Sequence, residues 1–418
     1  MSRYSALGLL KGGLDGHKHW ARAWRDPEPK PRYDVIVIGG GGHGLATAYY
    51  LARRHGLRNV AVLEKGWIGG GNTGRNTTIV RSNYRLPQMQ DLLELSMKLW
   101  EGLSEDLNYN VMFSQRGALF LGHSDSDMTQ LAQRGDALRC NGIDAELISR
   151  DQVRRLCPAL DMSPAARFPI HGGLIQKRGG TARHDAVAWG YARAADALGV
   201  DILQNCEVTG IEVAGGRAIG VRTTRGDIGA DRIGICVAGS SSHVAAMAGL
   251  RLPIESHLLQ AFVSEPIKPM IDTVIMSQSV HCYISQSDKG EIVLGGDPDH
   301  YPSYSQRGVP MRVEDVAGQA IGLIPALSRL RMLRCWAGLT DMSSDGAPII
   351  GATPVEGLYL NGGWCYGGFK ATPGSGWLYA HLLAGGEAHP VIEPFALDRF
   401  ERGALVDEAG SGPLAQSR

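Results

Sequence analysis

The sequence predicts an α/β fold: a Rossmann-like dinucleotide-binding domain with a mixed β-sheet domain inserted into it. Three stretches carry that expectation. Residues 34–65 read DVIVIGGGGHGLATAYYLARRHGLRNVAVLEK, which is a strand, a glycine turn, a helix, a second strand and an acid. From Pro253 the pattern changes to short alternating strands at 258–264, 281–286 and 291–295. Residues 358–383 then return to strand, glycine turn and helix, so the first domain is closed by residues far from those that open it.

The opening unit is the most informative. Val35 to Ile38 form the unbroken apolar run of a strand buried on both faces. Gly39, Gly41 and Gly44 fit G-x-G-x-x-G. Gly39 allows a tight turn, Gly41 removes a Cβ so that pyrophosphate can approach the backbone, and Gly44 lets helix and strand pack closely. The unpaired N–H groups of the helix start face the phosphates, which adds Gly42 and His43 to the cofactor candidates. Glu64 ends the second strand where it can accept hydrogen bonds from a ribose, and Lys65 follows it. The acid argues against NADP, whose extra phosphate it would repel. It does not separate NAD from FAD. A lone G-x-G-x-x-G among 56 glycines is weak, but here every flanking element is present and in order.

The remaining elements follow along the chain. Residues 1–32 form an arm ahead of the first strand and end in a proline-rich link. Trp20 and Trp24 are apolar anchors that a disordered tail seldom carries, so the arm is expected to pack on another subunit. After Glu64, KGWIGGGNTGRNTTIVRSNYRL is glycine-rich and polar before a β-branched run reaches Arg81. Such a segment can lie along a cofactor, which makes Asn72, Thr73, Arg75 and Asn76 candidates. Residues 93–103 read as an amphipathic helix, 111–122 as two short strands around Gly117, and 128–140 as a helix. Residues 145–156 read as a strand and then a helix with Ser149 as N-cap and Asp151 in its first turn. A strand and glycine turn occupy 172–180, and a helix 185–198. Strands follow at 200–203, 208–213, 217–223 and 232–237. Val208 and Gly239, near the ends of two of these strands, join the cofactor candidates. Residues 312–324 are helical, 358–360 a strand and 374–383 a helix, with Gly367 and Gly368 in the turn between them. Residues 404–418 read as a frayed tail.

The expected division is a cofactor domain of residues 33–85, 150–250 and 335–403, and a second domain of residues 86–149 and 251–334. Hydrophobic residues make up 44% and charged residues 20%, with a formal net charge of zero, so no basic excess points to nucleic acid. Seven scattered cysteines without C-x-x-C argue against a disulfide framework or a zinc site, and no metal is expected. No apolar run approaches a membrane span and no signal-like core is visible, which leads to a cytoplasmic expectation.

The segments DVIVIGGGGHG, WAGLTDMSSDGAPIIG and NGGWCYGGFK resemble the glutathione-reductase-like flavoproteins, within them the D-amino-acid-oxidase and glycine-oxidase-like amine oxidases. This resemblance spans most of the chain and implies FAD rather than NAD. A closer one is carried by RGGTARHDAVAWGYARAADALGVDI, NTGRNTTIVRSNY and LPIESHLLQAFVSEP, which are similar to the beta subunits of heterotetrameric sarcosine oxidases. That family implies non-covalent FAD and FMN held covalently through a histidine. The matching residue is His184; the second histidine found two residues on in related sequences is Ala186 here. By itself His184, between Arg183 and Asp185 near a helix start, reads as a cap or surface residue. The resemblance further implies oxidation of sarcosine with hydride transfer to FAD. Electrons then pass to FMN and oxygen, giving hydrogen peroxide, and one carbon passes to tetrahydrofolate. Alpha, gamma and delta subunits are the implied partners, with NAD and folate on alpha.

Such chemistry needs a grip on the substrate carboxylate. Arg81 and Lys370 are the expected pair, with Thr77 and Asn76 lining the same pocket. His257, His281 and Arg334 are candidates for the FMN side. Cys335 lies about where monomeric relatives attach FAD, but it is read as a buried inert thiol. The competing readings are a single-flavin dehydrogenase of dimethylglycine, a D-amino acid or another secondary amine acid, a non-catalytic cofactor-holding subunit, and a plain NAD-dependent dehydrogenase.

Overall fold

The structure is a computed structural model and describes residues 5–18 and 22–407. Among these residues the strands gather into two eight-stranded sheets and one two-stranded ribbon. In the first sheet the order is Ile349–Ala352, Leu358–Gly362, Gly226–Ile235, Arg32–Ile38, Val60–Leu63 and Asp201–Leu203. All of these run parallel except the first, which is antiparallel to its neighbour. Arg217–Thr223 and Val208–Ala214 extend Gly226–Ile235 as an antiparallel meander. Val35 to Ile38 are buried on both faces, as their unbroken apolar run requires.

Helices cover one face of this sheet. Gly42–His55 starts at the glycine turn and ends at Gly56, whose φ of 70° is the left-handed conformation of a glycine cap. It packs against His184–Ala197 and Gly368–Gly385, and the last of these also packs on Pro87–Asp106. Ala46, Leu51, Trp100, Tyr191 and Tyr379 meet in the shared core.

Gly368–Gly385 is longer than the expected 374–383 because Pro373 lies inside it rather than ending the sequence pattern. The missing proline N–H normally breaks a helix at a cost of about 3 kcal/mol. Here Pro87–Asp106 supplies partners for the pair next along the helix, the Lys370 carbonyl and the Gly374 N–H. Ser96 Oγ donates to the Lys370 carbonyl at 2.7 Å, Trp100 Nε1 donates to the same oxygen at 2.8 Å, and Gly374 N–H donates to Ser96 Oγ at 3.2 Å. A Cβ on Gly374 would stand 2.8 Å from the Ser96 Cβ, so the contact requires glycine. Pro87–Asp106 is itself longer than the expected 93–103, because Pro87 is well placed in a first turn and Met89 and Gln90 are buried there.

The second sheet runs Met332–Ser343, Ile254–Pro266, Glu291–Gly296, Cys282–Gln286, Val274–Ser277, Ala118–Gly122, Gly172–Gln176, Glu146–Ser149. One pair, Val274–Ser277 with Ala118–Gly122, is parallel; the rest are antiparallel. The boundaries differ from the sequence expectation in two places. Gly172–Gln176, expected in the cofactor domain, belongs to this sheet, where it is fully buried against Ala118–Gly122. Met332–Ser343 also lies here, pairing along Ile254–Pro266. Residues 111–117 form no strand of their own, since Met112 and Gly117 take positive φ of 53° and 88° and only Ser114 makes a bridge, to Thr181. The helix at 150–156 has the expected Ser149 cap, completed by Gln152 into a capping box.

The arm is tied to this chain at its end, while Leu7, Leu9, Leu10 and Leu14 of its helix Ala6–Leu14 stay exposed. Trp24 packs on this chain's own core, and Arg25 binds Asp196 at 2.8 Å and the Val200 carbonyl at 2.8 Å. Trp20 lies outside the described residues. The tail is likewise not free at its start: Val406 is buried and its N–H donates to Asp345 Oδ2 at 3.0 Å. Residues 408–418 lie outside the described residues.

Candidate active site

A cleft of about 480 Å³ runs between the two sheets, from Glu64 and Val208 at one end to Arg81 and Lys370 at the other. Its first half is the glycine turn. Gly39 has φ of 112°, and a Cβ there would meet the Cys236 carbonyl oxygen at 2.3 Å. A Cβ on Gly44 would stand 2.0 Å from the Gly39 oxygen. These glycines therefore hold strand and helix at a distance no other residue permits, although Gly44 lies beneath the wall and does not line it. Gly41, Gly42 and His43 do line it, at the N-terminus of an apolar helix. The Glu64 carboxylate accepts from Gly40 N–H at 2.8 Å and Gly66 N–H at 2.9 Å, and Lys65 lies beside it. Such a bare, donor-rich turn followed by a positioned acid fits a dinucleotide pyrophosphate and ribose.

The loop after Glu64 lines the middle. Thr73 Oγ1 accepts from Gly42 N–H at 2.8 Å. Asn72 grips Leu339, accepting from its N–H at 2.9 Å and donating to its carbonyl. Arg75 donates to the Gly70 and Gly71 carbonyls, and Asn76 donates to the Thr73 carbonyl while accepting from Thr78 N–H. Their side chains thus shape the loop around the cleft. Gly239 completes the wall; a Cβ there would strike Leu339 at 2.5 Å.

His43 joins the two ends. Its Nδ1 is 2.5 Å from Ser375 Oγ, its ring stacks on Trp364 at 4.8 Å, and burial pushes its pKa down to about 4. Asn361 donates to Ser375 Oγ at 2.9 Å and accepts from Trp364 Nε1 at 2.7 Å. This neutral network ties the glycine-turn helix to the turn at Gly367 and Gly368, both of which line the cleft.

The far end is cationic and aromatic. The Arg81 guanidinium lies 4.3 Å from the Tyr84 ring and 5.1 Å from Phe120, and donates to Asn83 Oδ1 at 2.9 Å. Lys370 stands in the first turn of its helix, 7% exposed, with Nζ donating to the Tyr366 carbonyl at 2.7 Å. Burial, and then the charge of Arg81, push its pKa well below the usual lysine value. Thr77 lines this end and hydrogen-bonds the Tyr283 hydroxyl. A small carboxylate between Arg81 and Lys370 would accept hydrogen bonds from both.

The sequence-derived FMN-side residues do not gather at one place. His184 opens the His184–Ala197 helix outside the cleft wall, with its Nδ1 buried and unpartnered. Burial lowers its pKa, and Arg183 and Arg334 add to this against Asp185. Arg334 therefore stands near it. His257 is 1% exposed and held by the Asp299 carbonyl at 2.9 Å and Glu255 at 3.4 Å, so it is a structural histidine inside the second sheet. His281 instead lines the same cleft as the glycine turn, paired with Asp297 at 2.8 Å. Cys335 is exposed, not buried, because it lies on the free edge of Met332–Ser343 beyond the cleft.

Sequence reasoning missed Tyr84, Phe120, Arg134, Tyr283, Tyr366 and Asp341, all of which line the cleft. Tyr84, Tyr366 and Asp341 lay within quoted motifs; Phe120 and Tyr283 come from strands and Arg134 from the Asp125–Cys140 helix, whose facing cannot be read without the fold.

The sequence matches the family described as FAD dependent oxidoreductase over residues 34–382. It is 62% identical over 410 residues to the sarcosine oxidase subunit beta of Rhizobium meliloti (strain 1021), covering 98% of both chains. Its identity to the sarcosine oxidase subunit beta of Arthrobacter sp is 50% over 392 residues, 94% of this chain and 97% of that one. The chain belongs to the sarcosine oxidase beta-subunit family. It is thus an FAD-dependent oxidoreductase. Among solved structures, L-proline dehydrogenase from P. horikoshii superposes with a TM-score of 0.84 at 28% identity, covering 91% of this chain and 100% of that one. Glycine oxidase from Geobacillus kaustophilus, at 22% identity, shares the fold with a TM-score of 0.80 over 88% of this chain and 99% of that one. No helix among the described residues is long and apolar enough to cross a membrane.

Proposed function

We propose that the chain is the FAD-holding subunit of an oxidase that converts sarcosine (N-methylglycine) to glycine. The observation that carries this reading is the buried Lys370 beside Arg81 at one end of a dinucleotide cleft. The flavins supply the redox chemistry when bound: hydride from the N-methyl group to FAD, electrons on to FMN, and then to oxygen as hydrogen peroxide. The chain's own residues do the rest. Gly39, Gly41, Gly42, Glu64 and the 71–76 loop hold FAD. Arg81 and Lys370 bind the substrate carboxylate and so fix which end of the amino acid faces the flavin. Tyr84, Phe120 and Tyr283 exclude water around it. Thr77 orients the Tyr283 hydroxyl.

The buried, unpartnered Nδ1 and lowered pKa of His184 favour a neutral imidazole, the form that can add to a flavin methyl group. His184 is accordingly assigned covalent FMN. Its place outside the cleft keeps FMN from competing with FAD for the same walls, and a partner subunit takes the one-carbon unit to tetrahydrofolate. Alpha, gamma and delta subunits complete the assembly, with NAD and folate on alpha.

The test is acid precipitation of the co-expressed complex, with flavin analysis of pellet and supernatant and mass mapping of the His184 peptide. FMN in the pellet on His184, with FAD released, is the expected result. Released FAD alone would refute the FMN assignment and favour a single-flavin amine dehydrogenase.

A further inference from the structure

Asp341 is the buried carboxylate that the reaction outlined above does not use. It lies on Met332–Ser343, opposite Ser256 of the neighbouring strand, and is 2% exposed. Backbone N–H groups of Gly363 and Trp364 donate to its carboxylate, and Oδ2 is buried with no partner. None of the ion pairs among the described residues includes it. It lines the cleft together with Gly338, Leu339 and Thr340.

The surroundings clamp it in place. Cys365 N–H donates to the Asp341 carbonyl at 3.0 Å, and Thr340 Oγ1 donates to the Cys365 carbonyl at 2.6 Å. The turn so fixed leads directly into Gly367 and Gly368, the start of the helix that carries Lys370. The titratable neighbours offer no compensating charge. Cys365, from the facing turn, is a buried thiol pushed up to about 12. Ser256 across the strand pair carries no charge. His43, behind Trp364, is held neutral at about 4. Asp345, further along the chain, is committed to Arg399. Lys370, at the substrate end, has its pKa pushed well below the usual lysine value by burial and then by Arg81.

An uncompensated carboxyl in the wall of a flavin cleft has a consequence. Substrate oxidation brings two electrons and one proton into the cleft, which leaves one net negative charge there. We propose that Asp341 is a positioning residue that takes up a solvent proton when the flavin is reduced and releases it when the electrons leave. One proton then enters and leaves per turnover, beside the substrate's own, and no further oxidant or reductant is needed. Burial already places the carboxyl at about 6, where a nearby charge shifts it across neutrality. The proposal rests on the reading of the cleft as an FAD site.

The test uses the co-expressed holoenzyme and its Asp341→Asn variant, with the midpoint potential of the acid-releasable flavin measured from pH 5 to 8. The parent's potential is expected to fall more steeply with pH than the variant's. At pH 8 the variant should favour the reduced flavin by about tenfold, as removal of one like charge from a partly screened site allows. At pH 5 the two should converge. Parallel curves would overturn the proposal, because a purely structural role moves flavin content or stability but not the pH profile. Asp341→Glu should restore the steep profile. If the asparagine variant fails to retain flavin, the parent and the glutamate variant decide: a potential that falls from pH 5 to 8 no more steeply than one proton per two electrons in both overturns the assignment. Absence of FAD from the parent would instead refute the cofactor reading.

Discussion

Replacing Lys370 with methionine separates a substrate ligand from a structural cation. The amine donates to the Tyr366 carbonyl at 2.7 Å, and burial, then the charge of Arg81, hold its pKa down. A carboxylate entering the site would supply a charge-assisted hydrogen bond worth about 1.5–3 kcal/mol. At 1.36 kcal/mol per factor of ten, its loss should lower kcat/KM for sarcosine by about 10- to 150-fold. Because Lys370 is depressed when free, a carboxylate partner should drive it to pick up a proton. Binding an unreactive carboxylate analogue should therefore consume a proton, read by calorimetry in buffers of different ionisation enthalpy. The methionine variant should lose that uptake. Its folding should not suffer greatly, since the neutralised amine is replaced by an apolar chain of similar length. Stability should also change with pH in a stated sense. A lysine depressed in the folded state destabilises the fold below its unfolded pKa, and that penalty fades as pH rises toward 10.5. The variant should lack this alkaline gain. An unchanged kcat/KM together with unchanged proton uptake would refute the assignment.

Other expectations follow from single contacts. Arg81→Lys should impair sarcosine turnover far more than a conservative change implies, because the stack on Tyr84 and Phe120 is lost; steady-state kinetics check this. Gly44→Ala should abolish FAD retention, since its Cβ would sit 2.0 Å from the Gly39 oxygen; the flavin absorbance of purified protein reads it. His43 is depressed to about 4, so the unfolded chain binds its proton first. Stability should fall as pH drops from 6.5 to 4, by up to about 3 kcal/mol, and His43→Gln should flatten that slope in denaturant titrations. Arg399→Met strands Asp345, which the guanidinium grips at 2.8 Å through two nitrogens; it should cost about 3–5 kcal/mol and lower Tm clearly.

The parts of the molecule legible in the sequence are those built from contiguous residues. The glycine turn, its helix and Glu64 could be read because strand, turn and helix are local and each residue type has a steric reason. Ser149 as an N-cap was equally local. Arg81 and Lys370 are separated by hundreds of positions, and only the resemblance brought them together. The misreadings share a different cause. Gly368–Gly385 looked short because Pro373 reads as a breaker unless Ser96 and Trp100 are known to lie beside it. Cys335 looked buried because a strand's free edge is a property of the sheet. His257 and His281 looked alike in sequence, yet one is bonded within the second sheet and the other faces the cleft. Asp341 carried no local signal, since its character comes from what the fold withholds from it.

The repair around Pro373 also divides the cleft into unequal walls. The carbonyl of Lys370 is pinned by two side chains of a neighbouring helix, so the residue proposed to grip the substrate rides on a strut joining the first third of the chain to its last. That wall has little freedom to be redrawn: a change at Ser96, Trp100 or Gly374 disturbs the helix before it alters the pocket. The opposite wall, with Met276 and Tyr283, is made of strand side chains whose backbone is paired independently of their identity. Altered preference among amino acids of different size should therefore be sought on the sheet, with the helical side kept as the fixed reference that holds the carboxylate.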